Sequence, residues 1–460
     1  MRGSFWNKRK SQGFNATGAD NVLPSDMNVL VTNTRGAQSY SIIRALRPSA
    51  TKIVAAVWGD NRFLAMTSPS ARSRSVDRRY WIPSPVKGWR LGKISEDNTA
   101  AEEAYVTALL DICKSQNIDL VFPSWDPEIY ILSKNKTRFS DLGVSIPVPD
   151  FDAVRMPLDK FLTVEAAKAC GVACPEARLP RSMECLPGIA RELSFPLIIK
   201  PRVTSGSHGM KVVSCLEDLC DSIEAAALPF GNFLIQEYIS GGHHEVLRLV
   251  LDKQGVPVLV FCERRWRIFG RFTSKIPTVA ESLPVQAYAM PLVKMMQKCG
   301  WWGPADAEFI VDPRDGIAKL LEVNPRMGGH HWHVTELGIN SPLMCSKIAR
   351  DEAVDPVTEY PAHTLFIDPF EDLMGFFYRI ADRMLFNVRT VVFRRPALDP
   401  NNVPMTIRAV MAAYAKTYRG RKSRVISPIT HNAIRDPQVA ICWWFQVSTW
   451  IFGACKQLGK

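Results

Sequence analysis

The chain has 460 residues, is 47% hydrophobic and has a mean hydropathy of -0.05, which excludes a disordered or fibrous chain and leaves room for about three domains with sizeable cores. Its 11 cysteines are odd in number and scattered, with no C-x-x-C pair, a pattern that fits a reducing cytoplasm rather than a disulfide framework. The formal charge is +12, and Pro361–Lys460 holds 14 Lys/Arg against 6 Asp/Glu, so the basic excess sits at one end and no nucleic-acid partner is expected of the near-neutral middle.

Residues 1–26 are polar and basic with no apolar run, and read as a disordered leader rather than a secretory signal. Met27–Val31 and Lys52–Val57 read as strands on either side of a helix over Ser39–Leu46, the βαβ opening of a parallel sheet. Gly36 stands alone where a dinucleotide site needs G-x-G-x-x-G. A helix over Thr99–Gln116 and a buried strand over Asp119–Pro123 follow. Trp125-Asp126-Pro127-Glu128 then falls at the carboxyl edge of the sheet, where ligands of open α/β folds bind. Residues 27–150 are expected to form one α/β domain.

Asp159-Lys160 opens a helix that Gly171 stops. Pro196–Pro201 is a buried strand carrying Lys200, and Thr204–Gly209 is a Gly/Ser loop whose unobstructed N–H groups suit phosphate oxygens, although a plain hairpin turn has the same composition. Phe233–Ile239 is a strand followed by Ser240-Gly241-Gly242 and Glu245, and Val256–Cys262 is another. Arg264, Arg265, Arg267 and Arg271 crowd the stretch after it, which reads equally as a solvated charged loop.

Trp301–His333 carries the clearest chemistry. A three-residue loop of Arg314, Asp315 and left-handed Gly316 would pair Pro313 with Ile317, and five pairs out would set Glu308 opposite Glu322. Asn324 then points to the same side, and Arg326 follows within reach. Opposed carboxylates repel without a cation between them, and all-oxygen ligands suit Mg2+. His330, His331 and His333 admit a zinc site, an acceptor pocket, or simple helix packing with Trp332.

In order, Asp159-Lys160, Ile199-Lys200-Pro201, SGSHGM, QEYI, Glu245, Asp306-Ala307-Glu308-Phe309 and Glu322-Val323-Asn324-Pro325-Arg326 resemble the ATP-grasp superfamily, most closely its carboxylate–amine ligase branch with the carbamoyl-phosphate synthetase-like ATP-binding domain. The resemblance covers residues 27 to about 350. It implies an α/β plus α+β architecture: an N-terminal open parallel sheet (27–150), an ATP-grasp domain of two α+β subdomains (151–350, with a lid over about 183–238), and a mainly helical basic C-terminal region (351–460). It implies ATP with Mg2+, or Mn2+, as cofactors. Lys160 and Lys200 resemble the phosphate lysines, and Gly206, Ser207, His208, Gly209 and Met210 the lid loop, with His208 replacing a smaller residue. Glu237, Tyr238 and Ile239 resemble the adenine hinge and Glu245 the ribose acid. Glu308, Glu322 and Asn324 resemble the metal ligands, and Arg326, with Lys200, the catalytic cations.

The implied function is ADP-forming ligation of a carboxylic acid to an amine through an acyl phosphate, with small-molecule carboxylate and amine substrates. The alternatives are a non-catalytic ATP sensor or scaffold, and activation of another small acid such as bicarbonate. No A-M-K-M biotin-attachment sequence is present. Outside the resemblance, Leu373–Val388 and Ile407–Tyr418 read as amphipathic helices, and Val439–Cys455 is uncharged with three tryptophans. That region is expected either to touch an anionic membrane surface from the cytoplasmic side or to pack on the core or form a homodimer.

Overall fold

The computed structural model describes residues 27–59, 68–85, 99–204, 206, 209–226, 229–269 and 276–368, and beyond these 372, 373, 375–377, 379, 380, 383, 384, 406–418 and 425–426. Strands β1 (Asn28–Val31), β2 (Lys52–Trp58), β3 (Arg78–Ile82) and β4 (Leu120–Phe122) form a parallel sheet in the order β3-β2-β1-β4. Alternation along β1 sends Leu30 to one face, toward helix α2 (Thr99–Gln116), and Val29 and Val31 to the other, toward α1 (Ala37–Leu46). Because β2 leaves β1 on one side and β4 lies on the other, the chain reverses direction at the carboxyl end of β1, and α3 (Asp126–Lys134) starts there.

Helices α4 (Phe151–Leu158) and α5 (Lys160–Ala169) lead onward. Asp159 caps α5 by accepting from the Phe161 and Leu162 N–H groups at 2.9 and 3.3 Å, which fixes Lys160 at its first turn. Residues 177–237 form an antiparallel sheet in the order β5 (Ala177–Arg178), β8 (Phe233–Glu237), β6 (Leu197–Pro201), β7 (Lys211–Val213), backed by α6 (Leu186–Leu193) and α7 (Leu216–Ala226). It keeps a small core of its own around Leu186, Leu197, Ile199, Leu219 and Phe233.

The third sheet runs β13 (Ala318–Asn324), β12 (Gly303–Val311), β9 (His243–Leu251), β10 (Pro257–Phe269), β11 (Ile276–Leu283), β14 (Leu365–Ile367), β15 (Val425–Ile426). One face, with Leu247, Leu249, Ala305, Ala307 and Phe309, packs on α8 (Ala289–Lys298) and shares a core with α2 of the first sheet. The other face joins α1 and α10 (Ser341–Ala349) through Val250, Phe261 and Met327. The short helix α9 (Trp332–Glu336) lies before α10.

Strand β10 runs through the arginine cluster, so the solvated-loop expectation is overturned. Each described arginine there meets an acid: Arg264 meets Glu245, Arg265 meets Glu308 and Arg267 meets Asp372. Helix α11 (Ile407–Tyr418) matches its expected span. Parts of Leu373–Val388, and all of Arg271 and Val439–Cys455, lie outside the described residues. Among the described residues no helix is long and apolar enough to cross a membrane.

Candidate active site

Glu308 does sit opposite Glu322, and Asp306 opposite Asn324, so all four share one face of the sheet. The route to that register differs from the expected one. Asp312 pairs with Ile317, leaving a four-residue loop, Pro313–Gly316, closed by Gly316 N–H donating to the Asp312 carbonyl at 2.8 Å. Gly316 is left-handed as expected, with φ +71°. Near the turn the pairs run one residue out of step, Phe309 with Leu320, and a bulge beside Glu308 restores the expected alignment at the two glutamates.

Each of these acids is met by a cation. Arg265 forks onto Glu308, with Nη1 3.1 Å from Oε2 and Nη2 3.2 Å from Oε1. Lys160 Nζ lies 3.5 Å from Glu322 and donates to the Thr204 carbonyl at 2.7 Å. Arg326 donates to Asn324 Oδ1 at 3.2 Å, and its Nε lies 2.8 Å from Asp126 Oδ1 at the start of α3. The hairpin is thereby tied to the carboxyl edge of the parallel sheet. Between Lys160, Thr204, Glu322, Asn324 and Asp126 lies a cavity of about 20 Å³, the size of one water or ion. Glu322 and Asn324 line this space and Glu308 stands opposite Glu322 on the same face, a set of oxygens that fits a hard divalent cation.

Lys200, buried on β6, donates to Gln236 Oε1 at 2.6 Å, directly before the Glu237–Ile239 segment. Glu237 pairs with Arg314 of the hairpin loop, Tyr238 is exposed and Ile239 is buried. Gly206 and Gly209 both hold left-handed φ values, +65° and +72°, with Met210 just before β7, so the expected lid loop needs its glycines. Ser207 and His208 lie outside the described residues.

Glu245 does not join this group. It is paired with Phe309, the neighbour of Glu308, so the sheet's alternation turns it to the opposite face. There it is buried with both oxygens engaged: Arg264 donates to Oε1 at 2.9 and 3.1 Å, Tyr288 Oη donates to Oε2 at 2.9 Å, and His243 Nε2 lies 3.3 Å from Oε1. Glu245, expected as the ribose acid, is thus not brought together with the hairpin acids, and His244, one residue earlier, is the one on their face. An open groove of about 510 Å³ also lies on the far side, beside Arg264, Trp266, Glu281 and His363. None of the hairpin acids lines it.

Beneath the acids runs a buried ionic ladder that the sequence reading missed. Arg248 joins Glu263 at 2.6 Å and also Asp306, while His333 Nδ1 lies 2.7 Å from the second oxygen of Glu263. Burial works against the charge on Glu263, but Arg248 and His333 outweigh it and hold its carboxyl below the usual range. Burial pushes the Asp306 carboxyl up to about 6 despite Arg248. His331 bonds the Ser341 hydroxyl, and Trp332 packs edge-on against Phe366. His331 and His333 are thus core residues, and among the described residues no three His, Cys, Asp or Glu side chains converge as metal ligands. The sequence signal for the ladder was a charge, Arg248 or Glu263, within otherwise apolar strand runs.

Another buried acid stands at the end of the parallel sheet. Glu128 of α3 accepts from Thr32 Oγ1 at 2.7 Å, Tyr105 Oη at 2.8 Å and the Ser124 N–H at 3.2 Å, and burial pushes its carboxyl up to about 7.

Residues 159–354 match the family described as carbamoyl-phosphate synthase L chain, ATP binding domain, and residues 98–147 match the PylC-like, N-terminal domain. The chain is 27% identical over 248 residues to the carbamoyl phosphate synthase large chain of Halomonas eurihalina, covering 51% of this chain and 23% of that one. It is 24% identical over 266 residues to biotin carboxylase 1 of Bacillus subtilis, covering 54% and 58%. It therefore spans less than a quarter of the first of these relatives. In fold it is similar to the biotin carboxylase domain of Hydrogenobacter thermophilus 2-oxoglutarate carboxylase, solved as a dimer with MgADP, ADP and bicarbonate (TM-score 0.57, 19% identity, 74% of this chain and 73% of that one). It is equally similar to a Campylobacter jejuni biotin carboxylase (TM-score 0.57, 18% identity, 74% of each). Residues 159–354 thus carry an ATP-binding domain of the carbamoyl-phosphate synthase type, in line with the ATP-grasp resemblance of the sequence, and the solved structures agree with it in fold.

Proposed function

We propose that the protein uses ATP to activate a carboxylic acid, releasing ADP, and passes the acyl group to an amine. The observation that carries this is a cavity lined by Glu322, Asn324, Lys160 and Asp126, with Glu308 paired opposite Glu322, Arg326 bonded to Asn324 and Asp126, and Lys200 on the adjoining lid strand. Residues 27–150 then serve as the domain that meets the acid, and residues 151–350 as the ATP-grasp domain.

In this reading Lys160 and Lys200 bind phosphate oxygens as point charges, exchanging the Thr204 carbonyl and the Gln236 amide for phosphate. Glu237–Ile239 offers backbone groups to the base, and His244 faces the ribose. Gly206–Met210 closes over the phosphates and excludes water that would hydrolyse an acyl phosphate. Glu308, Glu322 and Asn324 would hold Mg2+, which when bound neutralises charge on the transferred phosphoryl group. The acid's carboxylate oxygen attacks the γ-phosphorus as the bond to ADP breaks. Arg326, steadied by Asp126, orients that carboxylate and stabilises the charge that develops. The amine then displaces phosphate from the acyl carbon and loses a proton to water.

The matches over biotin carboxylase 1 favour a second reading, in which bicarbonate is the acid. A screen of acids and amines with Mg2+ATP, read by ADP release and product mass, tests both. Acid-dependent ADP release with an amide product supports the first reading, and release with bicarbonate alone supports the second. ATP binding without ADP release in any pool would overturn both and leave a sensor or scaffold. Peripheral membrane contact and homodimerisation of the basic C-terminal region remain proposals, separable by liposome co-sedimentation and sedimentation velocity.

A further inference from the structure

Arg265 occupies the carboxylate that a divalent ion would need. Both of its Nη atoms grip Glu308, one on each oxygen, and the side chain is only 10% exposed. A carboxylate held by both oxygens in a guanidinium fork cannot present the same lone pairs to a metal without releasing the fork. A metal at Glu308 would also set two further positive charges beside Arg265.

Two nearby groups have unmet bonding capacity. Arg265 Nε is buried with no hydrogen-bond partner, and so is Asp306 Oδ1. Asp306 lies two residues before Glu308 on the same face, and its Oδ2 alone is taken, by Arg248. The other acid in reach, Glu263, has both oxygens engaged, one by Arg248 and one by His333. An orphaned acceptor inside a protein costs free energy until a donor reaches it, and Asp306 Oδ1 is the acceptor next to a displaced Arg265.

We infer that Arg265 is the resident counter-ion of Glu308 in the metal-free protein, and that metal binding moves its guanidinium onto Asp306 Oδ1. This rests on reading Glu308 and Glu322 as the metal-bearing pair. The exchange makes Arg265 a positioning residue with two stations. It keeps the hairpin neutral without metal, and it sets metal affinity by competition rather than by the ligands alone.

The test is a Mn2+ titration of the full chain without nucleotide, with free Mn2+ read by electron paramagnetic resonance. Glu308→Gln should weaken binding by about tenfold or more, and Arg265→Met should tighten it by about tenfold, within the usual span of a coupling between two sites. Asp306→Asn should weaken binding in the wild-type background and have no such effect beside Arg265→Met. Arg265→Lys, which keeps the charge but loses the fork, should fall between wild type and methionine, and it carries the test if the methionine variant does not fold. Unchanged Mn2+ binding in Glu308→Gln would sink the metal reading and this exchange with it. Loss of binding in Glu308→Gln, with no tightening in either Arg265 variant, would overturn the exchange alone.

Discussion

Glu308 and Glu245 lie one residue apart in the ladder of the same sheet and on opposite faces of it, each paired with an arginine from β10. Glu245 is 3% exposed and holds Arg264, Tyr288 and His243 at once, with both of its oxygens engaged by protein groups. Glu308 is 25% exposed and faces a second carboxylate, with an arginine side chain as its counter-ion. A carboxylate saturated by fixed donors in a core is structural. One that sits at an opening, held by a cation that can be exchanged, is available for chemistry.

The comparison predicts where substitutions fall. Glu322→Gln should lower turnover by about 10²–10³-fold while ATP affinity stays within about tenfold, because loss at a transition-state ligand falls mostly on the rate. A variant turning over near the wild-type rate would remove the hairpin from the chemistry. Glu245→Gln should instead destabilise the fold by roughly 1–2 kcal/mol, read by urea denaturation, since it leaves the half-buried Arg264 and the Tyr288 hydroxyl poorly matched. If it raised the KM for ATP with stability unchanged, the distinction between the two faces would fail.

Gly328 adds a smaller effect on the acid face. A Cβ there would overlap Asp306 Oδ2 and come within 3.1 Å of Arg248 Nη1, so Gly328→Ala should cost about 1–3 kcal/mol. Chemical denaturation at neutral pH reads it, and an unchanged midpoint would show that the ladder can shift freely.

The smallest effect concerns pH. Glu128 has an ordinary value of 4.5 and stands near 7 when folded, so between those values the folded state binds more protons than the unfolded chain. Stability is then present below about 4.5 and falls as pH rises toward 7. Glu128→Gln should flatten the decline of Tm over that window. Parallel pH profiles for the two proteins would mean that Glu128 is ionised throughout.

The sequence carried the hairpin because its signals are local: alternating apolar residues, a left-handed glycine, and acids at matching distances from the turn. It missed the one-residue offset near the loop and the bulge that cancels it, since a bulge depends on what the strand packs against. The parity of Glu245 was readable only once β9 was known to pair with β12, a contact between residues some 60 positions apart. Motif order alone set it beside the acids, and strand geometry puts it on the opposite face. The arginines of β10 looked like a solvated run because their partners, Glu245, Glu308 and Asp372, come from three distant segments. Likewise, the histidines read as ambiguous until Glu263 and Ser341 supplied their partners.

The most direct test of the account is the fate of oxygen in ¹⁸O-labelled water, with Mg2+ATP, bicarbonate-free pools of unlabelled acids, and amines. If a carboxylate attacks the γ-phosphorus and an amine completes the reaction, the phosphate released carries no label from the solvent. Phosphate carrying one solvent oxygen per turnover would show that water attacks ATP directly, and would contradict the acid-activating role of this site.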